Sequence, residues 1–219
     1  MTSSFGSVSG VRNLSFILLV LLMVSSFAGN AITHKTSESA IERVDGHRMI
    51  LADSYTPHAP IIITSNDDFD SQDWPGSGTE DIPYVIEGLN ITDGSTCIRI
   101  SNTDVYFEIR NCLISAPAGA GMQISYGIYF DNLTHGKVDD CFIERHYYGI
   151  GLEYSSLCTF TNNTVTINGH YGFYVFQSYS CNISDNTATS NIDYGFYFSY
   201  SSSFTLMNNT AESNHYGIY

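Results

Sequence analysis

Five copies of one triplet, Tyr-Gly followed by Ile or Phe, govern what this 219-residue chain can fold into. They stand at Tyr126-Gly127-Ile128, Tyr148-Gly149-Ile150, Tyr171-Gly172-Phe173, Tyr194-Gly195-Phe196 and Tyr216-Gly217-Ile218. The glycines lie 22, 23, 23 and 22 residues apart. Three further files keep the same register. One is Ile86, Ile109, Val138, Phe160, Ile183 and Leu206; another is Ile91, Ile114, Ile143, Val165, Ala188 and Ala211. The third is Leu89, Cys112, Cys141, Asn163, Asn186 and Asn209. All three advance by 23, 29, 22, 23 and 23 residues. The single long step falls on Ala116–Gln123, whose small residues and proline mark a loop bulging from one coil. A fixed period with a tolerated local insertion is the signature of a solenoid.

Within each repeat the apolar residues alternate, as at Ile128 and Phe130, Ile150 and Leu152, Phe173 and Val175, and Phe196 and Phe198. That is strand periodicity with one face buried. Asn, Ser, Thr and Gly clusters break the strands after a few residues. A leucine-rich repeat needs a Leu-x-x-Leu-x-Leu frame, which is absent, and a WD blade needs about twice the period. The pattern predicts an all-β parallel β-helix with one coil per repeat. Counterparts one period apart then stack about 4.8 Å from each other. Gly127, Gly149, Gly172, Gly195 and Gly217 form one structural file. Asn163, Asn186 and Asn209 form another at a turn, where stacked amides can bond along the axis.

These repeats resemble the PbH1-type repeats of right-handed parallel β-helix proteins. They are similar to the NosD-like family and to the wider pectin-lyase-like superfamily. The resemblance covers residues 84–219, with an opening strand at Ile61–Thr64. It implies a right-handed single-stranded solenoid. It selects no one activity, since that superfamily holds lyases, hydrolases, adhesins and accessory proteins.

The flanks read differently. Residues 1–31 have the form of an export signal: Arg12, then an apolar run from Leu14 to Val24, then the small residues Gly29 and Ala31 before a cut. If that segment stays uncleaved, it is the chain's one contact with a membrane. Residues 32–57 read as a flexible linker, with a short helix around Ala40–Met49. Residues 58–83 read as an N-terminal cap; Asn66–Pro83 carries Trp74 and six acids, without the spacing of an EF-hand. The last residues, Gly217-Ile218-Tyr219, begin a strand and bring no cap, so the sequence reads as part of a longer protein.

Tyr129, Tyr174, Tyr197 and Tyr219 each follow the file glycine by two and point away from the core. Exposed tyrosines can stack on sugar rings and bond their hydroxyls, so these four are the candidate ligand-binding residues. Neighbouring tyrosines covering one another is the alternative. Asp140 and Asp185 are weak catalytic candidates, two coils and so about 9.6 Å apart, at the limit for an inverting pair. A lyase acting on uronates needs a base, yet from Pro60 onwards only Arg99, Arg110, Lys137 and Arg145 are present, against 18 acids. The formal charge of −14 disfavours nucleic acid and polyuronate alike.

The NosD-like resemblance implies copper delivery, but His135, His146, His170 and His215 read as surface turn residues. His170 and His215 lie about 9.6 Å apart, too far to share an ion. No metal or cofactor site is therefore expected. Cys112 over Cys141, and Cys158 over Cys181, suit either disulfides or buried thiols; Cys97 is left over. The Asn-x-Ser/Thr sequons at Asn90, Asn132, Asn162, Asn182 and Asn208 fit outward turns. The chain thus reads as an exported, cell-surface β-helix that binds polysaccharide or serves as a scaffold or adhesin. The alternatives are a polysaccharide-active enzyme, hydrolase before lyase, whose site is partly missing, and a copper-accessory periplasmic protein.

Overall fold

The structure, a computed structural model, describes residues 41–45, 48–51, 55–119 and 123–219, the first two stretches by backbone alone. The expected export signal and most of the expected linker lie outside these residues. Among the described residues the strands build three parallel sheets of seven, six and seven strands, wound as about six turns of a solenoid. The first sheet holds Ile61–Ile63, Ile98–Ser101, Tyr126–Asp131, Tyr148–Glu153, Tyr171–Phe176, Tyr194–Ser199 and Tyr216–Ile218. The second runs from Tyr84–Glu87 through Gly136–Asp139 to Thr205–Met207. The third runs from Thr56–Pro57 through Phe142–Glu144 to Thr210–Glu212.

Pairing sets each residue on its counterpart. Tyr126, Tyr148, Tyr171, Tyr194 and Tyr216 lie in one register, and Ile128, Ile150, Phe173, Phe196 and Ile218 in another. The glycine file runs between them. Inward positions fill the core. The third-sheet column shrinks from Ile91, Ile114 and Ile143 to Val165 and Ala188. The first-sheet column grows over the same coils from Ile128 and Ile150 to Phe173 and Phe196, whose rings stack at 4.7 Å. Small side chains face large ones, so the bore stays filled at constant coil length.

From Asn132 onward, four corners in each coil are turned by residues with left-handed backbone. In one coil these are Tyr154, Leu157, Asn162 and Ile167, with φ of 50, 57, 55 and 55°. At the corner between the second and third sheets the file is Asn111, Asp140, Asn162, Asp185 and Asn208, the residue types that tolerate this region best. Beside three of the corners a side-chain ladder runs up the axis. Asn163 donates its backbone N–H to Asn186 Oδ1 at 2.9 Å, and Asn186 to Asn209 Oδ1 at 3.0 Å. Asn168, Asn191 and Asn214 repeat this at a second corner. Ser155, Ser178 and Ser201 do so with hydroxyls at a third. Each ladder satisfies buried N–H groups that the strand ladder leaves unpaired at a turn.

All five cysteines are buried and free. Cys112, Cys141, Cys158 and Cys181 each donate the thiol to the carbonyl two residues earlier, at 3.3 Å. Ser155 and Ser178 make the same bond with their hydroxyls. Cysteine here is a corner residue that bonds like serine and fills space like an apolar one.

Two differences from the sequence reading arise before the repeats. Ile41–Asp45 and Arg48–Leu51 form an antiparallel pair in place of a helix around Ala40–Met49. Ile41, Val44 and Ile50 are β-branched and favour strand. Thr56–Pro57 pairs with Leu89–Asn90 and so belongs to the third sheet. The short helix Asp67–Ser71 places Phe69 in the core, stacked on Tyr84 at 4.7 Å and 5.4 Å from Phe107. The Tyr84 hydroxyl donates to Asp70 at 2.7 Å, which ties this helix to the second sheet. No helix among the described residues is long and apolar enough to cross a membrane.

Candidate functional site

The outward face of the first sheet carries two tyrosine files, and the glycine file explains why there are two. A Cβ on Gly149 would lie 2.2 Å from Val165 Cγ1 and 2.7 Å from the Gly172 carbonyl oxygen. The chain therefore turns its glycine into the corner, which leaves Tyr148 outward on one side and the Gly151 position outward on the other. The same geometry sets Tyr126 and Tyr129, Tyr171 and Tyr174, and Tyr194 and Tyr197 on one face.

The rings interleave. Tyr148 stacks on Tyr174 at 5.1 Å, Tyr171 on Tyr197 at 4.8 Å, and Tyr197 on Tyr219 at 5.4 Å, with interplanar angles of 20, 12 and 5°. Tyr174 and Tyr197 also lie parallel at 5.9 Å. Ring faces are thus largely spent on one another. Tyr129, Tyr174 and Tyr197 are partly buried, whereas Tyr219 is exposed. The file is a comb of stacked phenols in place of a row of open ring faces. At Gly151 the comb has no tooth: a Cβ there would sit 2.5 Å from the Tyr126 ring, which fills the space.

Two carboxylates stand at the edge of this face, and no repeat column marks either. Asp131 pairs in register with Glu153 on the next coil. Glu153 Oε1 accepts from the Tyr126 hydroxyl at 3.2 Å. Asp131 lies 3.8 Å from Arg99, whose guanidinium rests 5.6 Å from the centre of the Tyr129 ring. Burial raises the Glu153 carboxyl above its ordinary value, and the Asp131 charge adds to this. Burial pushes the Tyr148 phenol up to about 12. It raises Tyr126 and Tyr129 too, with the Glu153 charge as the second cause. All these phenols stay protonated donors at neutral pH.

Asp140 and Asp185 are corner residues with φ of 52 and 59°. They stand two coils apart with Asn162 between them in the file, and Asp185 accepts from Asn208 at 3.1 Å. The bases are mostly committed elsewhere. Arg110 bonds Glu87 and Glu108 at 2.8 and 3.2 Å, and Lys137 bonds Glu108 at 2.6 Å, all on the second sheet. Arg145 pairs with Glu144 at 2.9 Å.

The histidines divide. His135 stacks on Tyr106 at 4.2 Å, and His170 lies 3.0 Å from Asp193. His146 corrects the reading of the four as surface turns: it is 1% exposed, with Nε2 at 3.6 Å from Cys97 Sγ. It heads the Asn168 ladder, donating its N–H to Asn168 Oδ1 at 3.1 Å. The signal was its place 22 residues before Asn168. Among the described residues no three His, Cys, Asp or Glu side chains gather around one point. Of the sequons, Asn132, Asn162 and Asn208 are exposed.

The family model described as "Right handed beta helix region" matches residues 76–219. No curated protein matches the chain. Among solved structures, the enzymatically active domain of tailspike protein 2 from bacteriophage CBA120 aligns with 72% of this chain at 12% identity, with a TM-score of 0.52. The aligned part is 22% of that chain, so this protein spans about a fifth of its length. The Dettilon tailspike protein aligns over 74% of this chain and 39% of its own at 15% identity, TM-score 0.45. A periplasmic alginate epimerase aligns over 73% and 47%, at 15% identity and a TM-score of 0.34. At such identities the likeness is one of fold.

Proposed function

The chain belongs to the right-handed β-helix family, and from that premise we propose that it is an exported protein that binds polysaccharide along its first sheet. The observation that carries this reading is the comb of stacked tyrosines. The rings of Tyr174, Tyr197 and Tyr219 recur once per coil, 5.9 and 5.4 Å apart. That is close to the advance of one pyranose unit in an extended chain, so successive sugars can meet equivalent donors. Stacking holds each ring in place before the ligand arrives, which lowers the ordering cost of binding. The fold class, shared with proteins of many activities, is only the setting.

The test follows from the ring geometry. Tyr174→Phe with Tyr197→Phe keeps the stack and removes two hydroxyls. At about 1 kcal/mol per lost hydrogen bond, affinity for the glycan that binds best on an array should fall about thirtyfold, with Tm unchanged. Unchanged affinity would sink the comb.

A second reading, a retaining glycoside hydrolase, is favoured by the Asp131–Glu153 pair. Two carboxyls on neighbouring in-register strands suit the separation of about 5 Å that such enzymes use. Glu153, raised by burial, would protonate the glycosidic oxygen as Asp131 attacks the anomeric carbon and the leaving sugar departs. Water, deprotonated by Glu153, would then displace Asp131. Glu153→Gln should cut release of reducing ends from polysaccharide by at least about a hundredfold. Equal release by wild type and variant, or none from wild type, removes this reading.

A further inference from the structure

Beyond the first-sheet strands the chain turns into the second sheet, and at this corner the surface opens into a cleft of about 440 Å³. Its floor is a file of bridged residues, Thr134 on Ser156 on Tyr179. One wall carries Tyr154, and the far end carries Asp104 with the amides of Asn102 and Asn132. Four successive coils contribute, so the cleft runs parallel to the coil axis for about 14 Å.

Tyr154 and Tyr179 differ from the comb. They are 51% and 56% exposed. Among the described residues Tyr154 meets one ring, Phe176, perpendicular to it at 5.7 Å. Among the described residues no ring packs on Tyr179. Here ring faces are open, where in the comb they are largely used up. The polar groups are already oriented: Asn132 Nδ2 donates to Asn102 Oδ1 at 2.9 Å, and Asn66 donates to Asp104 at 2.8 Å.

We propose that this cleft is a second glycan site, seating about three units of a neutral, linear polysaccharide laid along the coil axis. Open aromatic faces flanking hydroxyls and amides match a sugar, which presents apolar C–H patches between hydroxyls that both donate and accept. Charge selects a neutral chain. Among the described residues no lysine or arginine lines the cleft and Asp104 is its one carboxylate, and the whole protein is strongly acidic. A polyuronate would meet repulsion with no partner. The proposal rests on the glycan reading above but uses a different chemical feature, ring faces in place of hydroxyls.

That difference makes the two separable. The full chain is titrated with cellohexaose, mannohexaose and xylohexaose, with a hexagalacturonate as the charged comparison. For the neutral hexaose that binds, Tyr154→Ala and Tyr179→Ala should each weaken affinity about tenfold. Tyr154→Phe and Tyr179→Phe should stay within about twofold, because the face remains. In the unaltered chain, titration should shift the NMR signals of the Asn132 side-chain amide, a readout that does not depend on the variants folding. The proposal is overturned if the alanine variants bind like wild type, even when Tyr174→Phe with Tyr197→Phe weakens binding, in which case the comb alone stands. It is equally overturned if no neutral hexaose binds, or if hexagalacturonate binds more tightly. Loss in the alanine variants with full binding by the phenylalanine pair in the comb supports the cleft and removes the comb.

Discussion

Gly149→Ala should destabilise the protein by about 3 kcal/mol or more, enough to unfold a marginal domain. The added methyl would meet Val165 Cγ1 at 2.2 Å, the Gly172 carbonyl oxygen at 2.7 Å and Asn168 Nδ2 at 2.8 Å. A valine methyl can rotate away. The carbonyl oxygen cannot, because it belongs to the next coil's backbone and is fixed by that coil's own pairing. Nor can Asn168 withdraw without breaking the amide ladder, in which its Nδ2 donates to Asn191 Oδ1 at 2.8 Å. The clash repeats upward: a methyl on Gly172 would lie 2.6 Å from the Gly195 carbonyl oxygen, and one on Gly195 2.8 Å from that of Gly217. From Gly149 to Gly217, each coil thus leans on the absence of a side chain in the coil below. Gly169 is the control, since a methyl there finds nothing nearer than 3.7 Å. Gly169→Ala should be neutral or slightly stabilising through the unfolded state. Urea unfolding of both variants tests the pair, and a Gly149→Ala cost below about 1 kcal/mol would show that the file is not close-packed.

How much of this is legible in the residues depends on what a period can carry. Strict spacing marks which side chains share a file, so the glycine and Asn163 files can be drawn from the chain alone. Side-chain direction is another matter. Tyr174 and Tyr197 are equally consistent with open rings and with interleaved ones; the choice is made by Tyr148 and Tyr171, which the glycine corner turns onto the same face. Asp131 and Glu153 both follow the file glycine by four residues, but their counterparts are Ser101, Phe176 and Ser199, so no column announces them. The ladder of Asn168, Asn191 and Asn214 is regular enough to see, yet His146 at its head hides its start. The cleft is least legible, because Tyr154 and Tyr179 occupy different positions in their coils and meet only through the bridge of Tyr179 to Ser156.

Acid should weaken the protein through His146 before most carboxylates titrate. Burial lowers its folded-state pKa to about 4 from an ordinary value of 6.5; Asp93 opposes the shift and Arg145 adds to it. The folded chain therefore binds fewer protons here than the unfolded chain between those two values. The sign follows: the stability that the neutral imidazole contributes is fully present above about pH 6.5 and is lost as pH falls towards 4. With 1.36 kcal/mol per pH unit, the loss by pH 4.5 comes to about 2.5 kcal/mol. The interior offers the proton little. Among the described residues Nδ1 has no hydrogen-bond partner, and Nε2 faces the Cys97 thiol, whose own pKa burial pushes up to about 12. Glu153 works in the opposite direction, since its raised carboxyl contributes stability that grows as pH falls towards the ordinary carboxylate value. Glu153 thus offsets part of the loss through His146, while Asp68, Asp93 and Asp139, held low by hydrogen bonds, act in the same direction as His146. His146→Asn replaces the imidazole with the residue that the next three coils carry and leaves no titrating group at the site. Its Tm should fall less than that of wild type between pH 7 and 4.5, whatever the two values at pH 7, and below pH 6 it should lose the steep part of the profile. Parallel profiles, or an imidazole signal for His146 that titrates near 6.5 in the folded chain, would mean that water reaches the corner and that the core is open beside Cys97.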